Sequence, residues 1–236
     1  MRNNALKTWN TKNLEPMAAF FNARAPRYDE VHTGHISGGI ATKDLIAQYL
    51  PSPPLQRGEA AQRQGGVYDI LDLGCGTGLE LPAIFARFPG AKVTGIDLAA
   101  DMLALLHERC AGLDVQTLCM SYFDYDFPAS HFDAVISVMS LHHFTPAQKL
   151  DLYTRARRAL KPGGVFLNCD YYIANPLRVR LNFFRLRLKC QQPGAMHFDT
   201  PLTPKQEMRV LRRAGFEGVQ VLWQQKNTKV IQAQRL

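Results

Sequence analysis

The chain has 236 residues, 46% of them hydrophobic and 20% charged, with a formal net charge of +8; that length holds one sizeable core, and that balance excludes a disordered or fibrous chain. The opening run MRNNALKTWNTKNLEP lacks the apolar core of a secretory signal and no later run approaches a membrane span, so a cytoplasmic protein without integral membrane association is expected. Five scattered cysteines (Cys75, Cys110, Cys119, Cys169 and Cys190) show no C-x-x-C spacing and point to neither a disulfide framework nor a zinc site.

Residues 12–50 read as an N-terminal helical segment, and PSPPLQRGEAAQRQGG (51–66), rich in Pro, Gln and Gly, as an exposed connection. From residue 67 onward, apolar β-rich runs alternate with helix-period segments, which implies βαβ units and a parallel sheet covered on both faces. VYDILDL (67–73) is the first strand and LELPAIFARF (79–88) its helix. KVTGID (92–97) is the second strand; in the helix after it, AADMLALLHERC (99–110), residues Met102, Leu105 and Leu106 share one face with Leu98.

DVQTL (114–118) and FDAVISVM (132–139) are the third and fourth strands. Thr145 caps the next helix and Pro146 begins it. KPGG (161–164) is expected to stop that helix before the fifth strand, VFLNCD (165–170). Residues 174–200 form an excursion. Within it Leu177, Leu181, Phe184 and Leu188 follow i, i+4, i+7, i+11, so a helix there is expected to turn an apolar stripe inward and its arginines outward. Such a helix would serve as a cap over an apolar or anionic acceptor, or as a structural or dimer-forming element.

Thr203, Pro204 and Gln206 open the last helix as a capping box, and Gly215 ends it. GVQVLWQQ (218–225) and TKVIQA (228–233), separated only by Lys226 and Asn227, must pair antiparallel. The excess positive charge lies in RARRALK (155–161), RVRLNFFRLRLK (178–189) and RRAGF (212–216). These read as solvated faces, with an anionic substrate, a membrane surface or RNA as alternatives.

The turn after the first strand carries Gly74, Gly76 and Gly78, a G-x-G-x-G run with Leu79 where a dinucleotide site needs its third glycine and no lysine where a Walker loop needs one. Both phosphate readings lose weight. The glycines still permit a sharp turn and close approach of a ligand to the helix start.

ILDLGCGTG, followed in order by VTGIDLAADML, FDAVISVMSLHHF and LKPGGVFL, resembles the class I S-adenosylmethionine-dependent methyltransferases over roughly residues 67–170, and the terminal hairpin extends the likeness. The resemblance implies an α/β fold: a Rossmann-like three-layer sandwich on a seven-stranded, mostly parallel sheet of order 3-2-1-4-5-7-6 with an antiparallel last strand. Residues 1–236 would form one domain, with 12–50 as a lid and 174–200 as a substrate cap. The implied activity is in-line methyl transfer from S-adenosylmethionine to a small-molecule acceptor. The basic charge keeps an RNA or protein methyltransferase as an alternative, and a non-catalytic binder of the same cofactor is another. Nucleic-acid amino-methyltransferases typically carry Asn- or Asp-Pro-Pro-aromatic where this chain has SVMSLHHF, so nucleic acid is not the expected partner.

S-adenosylmethionine has an amino acid end, a sulfonium, a ribose diol and an adenine. Asp72 is suited to its ammonium, directly or through water, with Gly74, Gly76 and Gly78 letting the backbone lie close. By resemblance Asp97 takes the ribose hydroxyls, Leu98 and Met102 flank the adenine, Ser121 and Tyr122 meet its edge with Asp124 as a substitute, Ser137 joins the cofactor set, and Tyr28 sits near the methionine end. His142 and His143 follow the fourth strand, where ligands gather in such sheets, and are candidate bases. Asp170 and Tyr171, with MHFDT (196–200), could also face the acceptor. No metal is expected to be required.

Overall fold

The computed structural model describes residues 15–30, 39–51, 68–189 and 195–236. All but Pro51 of the expected 51–66 connection lies outside the described residues, as do 12–14 and 190–194.

The chain forms a seven-stranded sheet of order β3-β2-β1-β4-β5-β7-β6. The strands are β1 Tyr68–Leu73, β2 Ala91–Asp97, β3 Val115–Cys119, β4 Phe132–Val138, β5 Leu160–Tyr171, β6 Glu217–Gln225 and β7 Thr228–Gln234. The first five pair in parallel, and β7 runs antiparallel to both neighbours. The helices are α1 Met17–Asn22, α2 Gly39–Tyr49, α3 Leu81–Arg87, α4 Ala100–Arg109, α5 Pro146–Ala159, α6 Pro176–Lys189 and α7 Pro204–Arg213.

Period-two alternation divides the strand side chains between two cores. Ile70, Ala134, Ile136 and Leu167 face a cluster with Leu45, Ile46, Ile84 and Leu106 of α2, α3 and α4. Leu71, Val135 and Phe166 face another with Leu152, Tyr153 and Leu211 of α5 and α7. Helices therefore cover both faces. Capping boxes start α5 at Thr145 with Gln148 and α7 at Thr203 with Gln206, and Gly215 follows α7 with φ +89°. Among the described residues no helix is long and apolar enough to cross a membrane.

Three expectations need correction. KPGG does not separate α5 from β5. The helix ends at Ala159, Leu160 is already extended, and KPGG lies inside the strand. Its backbone finds partners at the C-terminal edge: Gly163 N–H donates to Arg235 O at 2.7 Å and Arg235 N–H to Gly164 O at 3.0 Å.

The N-terminal segment does not act as one piece. Residues 17–28 reach the carboxyl ends of the strands, whereas α2 packs into the core beside α3 and none of its described side chains lines the cavity described below. The helix of the excursion forms, but its stripe points the other way. Val179 is buried and Phe183 packs on the core, so Leu177, Leu181 and Phe184 are 67%, 46% and 59% exposed. The side chain of Leu188 lies outside the described residues.

The basic run 155–161 is only partly a solvated face. Arg155 donates to the carbonyls of Phe123 and Tyr125, and Lys161 bridges Asp69 at 3.0 Å and Asp133 at 2.8 Å. Periodicity also gave no sign of a buried ion pair between α5 and α7, Lys149 Nζ to Glu207 at 2.6 Å, with Tyr153 donating to the same carboxylate.

Candidate active site

One cavity lies at the carboxyl ends of the strands, between the glycine turn and residues 17–28. The side that carries the candidate cofactor residues starts where β1 ends. Gly74 and Cys75 donate their N–H groups to Ile96 O at 2.8 and 3.2 Å, which turns the chain sharply. Gly74 has φ +77° and a Cβ there would lie 2.0 Å from Ser140 Oγ. Gly76 has φ +50°, lines the cavity, and its Cβ would meet nothing within 4 Å. That open space is where a ligand can lie on the backbone. Gly78 does not line the cavity; its Cβ would come 2.9 Å from Leu106 Cγ, so it serves the close packing of α4.

Asp97 lines the cavity and accepts from Gly76 N–H and Ala99 N–H, one bond at each oxygen, both 2.9 Å. Each oxygen keeps a lone pair for a diol. Burial raises its pKa, opposed by the backbone hydrogen bonds. Asp72 lies beneath the turn, not on the cavity wall. It is fully buried, and neither carboxyl oxygen has a hydrogen bond of good geometry. Burial, and then the neighbouring Glu80, push its pKa well up; burial also raises Glu80. A pair of buried carboxyls whose pKa values burial raises, although the charge of Arg109 reaches Glu80, suits a ligand that carries a cation.

Leu98, Met102, Ser121, Tyr122 and Tyr28 line the cavity. Tyr28 is raised by burial first and by Asp97 next. Ser121 Oγ accepts from Phe123 N–H at 3.2 Å, while Asp124 is exposed and does not line the cavity. Ser137 is fully buried and off the wall, its hydroxyl donated to Leu73 O at 2.8 Å. Ser140 and Met139 line the cavity instead, Met139 at φ +53°, an uncommon backbone conformation for its type. The closing segment is tied down by Thr77 Oγ1 donating to Asp29 at 2.7 Å and by Arg109 bonding both Asp29 and Thr77 O.

The opposite side, where the candidate acceptor residues lie, is built from four distant stretches. His142 and His143 occupy a 3-10 turn after β4, Asp170 ends β5, residues 195–200 return from the excursion, and α1 closes over them. His142 Nδ1 lies 2.7 Å from Asp170 Oδ1. Asp199 Oδ1 is surrounded by three imidazole nitrogens, from His143 Nδ1 at 3.2 Å, His197 Nε2 at 3.6 Å and His142 Nε2 at 3.8 Å. Phe20 stacks on His197 at 3.4 Å between ring centroids, and Thr200 N–H donates to His142 O at 2.8 Å.

His143 is the imidazole on the cavity wall; its Nδ1 faces Asp199 Oδ1 at 3.2 Å, and its buried Nε2 has no hydrogen-bond partner among the described residues. Burial, then the nearby His142, lower its pKa, so it is neutral near pH 7. Burial opposes charge on His142 too, but Asp170 outweighs it and raises the pKa. Burial would raise Asp199, yet the bond from His143 and the charges of its imidazole neighbours hold it well below the usual carboxylate range. His197 is lowered to about 3 by burial and then by His143.

This arrangement can take a proton at a neutral imidazole and stabilise the resulting cation with a carboxylate. His142, His143 and Asp199 also offer three ligand atoms within 4.8 Å of one another, which a divalent cation could use. Of the acceptor residues, His142, His143, Asp170, Tyr171 and the 196–200 run were singled out from sequence. The meeting of His197 and Asp199 with the two histidines carried no signal, because it depends on how the excursion returns. Phe21, Phe144 and Met17, which wall the cavity, read in sequence only as apolar residues.

Comparison with known proteins agrees with this geometry. A family model described as a methyltransferase domain matches residues 70–164. The chain is 35% identical to a demethylmenaquinone methyltransferase of Tropheryma whipplei over 185 residues, 77% of this chain and 69% of that protein. It is 35% identical to the cyclopropane-fatty-acyl-phospholipid synthase of Escherichia coli over 98 residues, 42% of this chain and 25% of that one. Human N-acetylserotonin methyltransferase in complex with S-adenosylmethionine shares the fold, with TM-score 0.65 and 19% identity over 99% of this chain and 63% of that one.

Proposed function

This chain belongs to the class I S-adenosylmethionine-dependent methyltransferase family, and on that premise we propose that it methylates an apolar, proton-bearing small molecule, with His143 as general base and Asp199 as its partner. The observation that carries this reading is the acceptor wall, in which one neutral histidine stands among Met17, Phe21, Met139 and Phe144. An apolar body would pack on those side chains, and a single acidic group would point at the imidazole. The names of the two sequence relatives, a demethylmenaquinone methyltransferase and a cyclopropane-fatty-acyl-phospholipid synthase, refer to apolar molecules, which supports the apolar part of this reading.

When bound, S-adenosylmethionine supplies an electrophilic methyl group on a sulfonium. Asp97 would hold its ribose, Leu98 and Met102 its adenine, Ser121 the adenine edge, and Asp72 with Glu80 its ammonium from below the turn; Tyr28 would close over the methionine end. The buried carboxyls of Asp72 and Glu80 and the open space above Gly76 are what make the cradle fit this group. Holding two reactants aligned contributes roughly 7–11 kcal/mol in the best intramolecular cases. The chain's further contribution is at the acceptor proton. His143 takes it, and Asp199 stabilises the imidazolium. His142, held by Asp170, and His197 fix Asp199 from its other sides and are positioning residues.

Residues 17–28 act in this reading as the lid, shutting water out through the Asp29 contacts with Thr77 and Arg109. The test is release of S-adenosylhomocysteine with a panel of hydroquinones, catechols and fatty acids, each with its nearest polar analogue. Turnover with an apolar hydroxyl or carboxyl acceptor is expected. Turnover confined to charged, water-soluble amines would contradict the proposal.

A further inference from the structure

We propose that the outward face of α6 is a docking surface for an anionic lipid bilayer. Helical geometry places Leu177, Leu181 and Phe184 on one stripe, directly opposite Val179 and Phe183, which anchor the helix to the core. Among the described residues only six large hydrophobic side chains are exposed, and these three are among them, on a single helix face. Isolated exposed apolar residues need no explanation; a stripe does. Arg180 flanks it on one side and Arg178 and Arg185 on the other, all exposed. The sequence of α6, PLRVRLNFFRLRLK, contains no acidic residue.

An apolar stripe bordered by arginines, on a helix pinned by its opposite face, is the pattern of a helix lying in the plane of a bilayer. Its leucines and phenylalanine enter the acyl boundary, while the guanidinium groups stay with the headgroups. A second copy of the chain fits less well, because an isologous pairing of this face would set unpaired arginines against arginines. RNA would use the arginines and leave Leu177 and Leu181 exposed to no benefit. The helix also adjoins the acceptor side. Phe183 packs with Met196 and Phe198, the residues on either side of His197. Docking would thus present the site to a lipid-borne acceptor, so in that respect the inference deepens the apolar-acceptor reading, although the surface itself does not depend on it.

The experiment is co-sedimentation of the full chain with vesicles of phosphatidylcholine alone and of phosphatidylcholine with phosphatidylglycerol, at low and physiological salt, without cofactor or acceptor. Binding is expected only to the anionic vesicles and should weaken with salt. Arg178→Gln, Arg180→Gln and Arg185→Gln together should reduce partitioning by about fivefold per charge. Leu181→Glu with Phe184→Glu should abolish it while S-adenosylmethionine affinity stays unchanged, which excludes misfolding. No binding to anionic vesicles overturns the proposal, as does binding that neither set of substitutions alters. A dimer dissociated by Leu181→Glu, or tRNA bound at physiological salt, in the absence of vesicle binding assigns the face to another partner. Because no methyl transfer occurs in the assay, its failure leaves the proposed activity standing, and failure of turnover leaves the docking result standing.

Discussion

The glycine-turn side and the histidine side of the cavity, proposed for cofactor and acceptor and called so below, differ in how they are made. The cofactor side is a backbone device. Gly74, Gly76, Asp97 and Leu98 come from two adjacent strands and the turn between β1 and α3, held by main-chain bonds to Ile96 O and from Gly76 N–H to Asp97. The acceptor side is a side-chain device. His142, His143, Asp170, His197 and Asp199 come from three stretches and meet only through tertiary packing under α1. On the proposed reading, local geometry fixes what is bound on one side, and long-range packing fixes what is done on the other. Substitutions on the two sides should accordingly separate binding from turnover.

The largest separation is expected at His143. His143→Ala, or Asp199→Asn, should lower kcat by about 10²–10⁴-fold, the usual contribution of a general base. Cofactor affinity measured by titration calorimetry should hardly move. Turnover of the unmodified enzyme should survive exhaustive chelation; activity lost to a chelator and restored by a divalent cation would give the cluster of His142, His143 and Asp199 to a metal instead.

On the cofactor side Gly74→Ala should act in the opposite way. A Cβ 2.0 Å from Ser140 Oγ, on a backbone at φ +77°, moves the turn, and affinity for S-adenosylmethionine should fall by about 100-fold, equivalent to roughly 3 kcal/mol. Unchanged affinity would break the distinction between the two sides.

A pH effect of about tenfold per unit should come next, from Asp72 and Glu80. Both carboxyl pKa values are raised in the free protein, so this pair holds a proton at pH values where an ordinary carboxyl has lost it. An ammonium beside the pair favours the ionised form. Affinity should therefore rise with pH up to the raised pKa and level off above it, with one proton released per cofactor bound. Calorimetry in buffers of different ionisation enthalpy reads that proton directly, and affinity that is flat or falls with rising pH would contradict the assignment. The smallest effect is expected at Ser121. Ser121→Asp should strengthen binding about fivefold, because a carboxylate accepts a hydrogen bond more strongly than a hydroxyl.

The same division explains what could be read from the sequence. The alternation, the cap at Thr145, the capping box at Thr203 and the glycine turn are local or periodic, and they were legible; the strand order came with the family resemblance, and the Gln148 half of the cap at Thr145 emerged only in the structure. Ser137 shows the limit of a motif: its place in the chain suggested the cofactor, but its side chain points the wrong way along β4 and bonds Leu73 O. The stripe of α6 was visible as a stripe, yet its direction depended on whether Val179 with Phe183, or Leu181 with Phe184, would meet the core. Amphipathic spacing cannot decide that when both faces are apolar. KPGG read as a stop because glycine and proline usually punctuate; here Arg235 supplies the missing partners from the far end of the chain.

The central claim is methyl transfer from S-adenosylmethionine to an apolar small molecule. Incubating the enzyme with methyl-labelled S-adenosylmethionine and a cell extract, then separating organic solvent, water and acid-precipitable fractions, tests it most directly. The label should enter the organic fraction in a form lost with His143→Ala. Label recovered instead in precipitable RNA or protein would contradict the account.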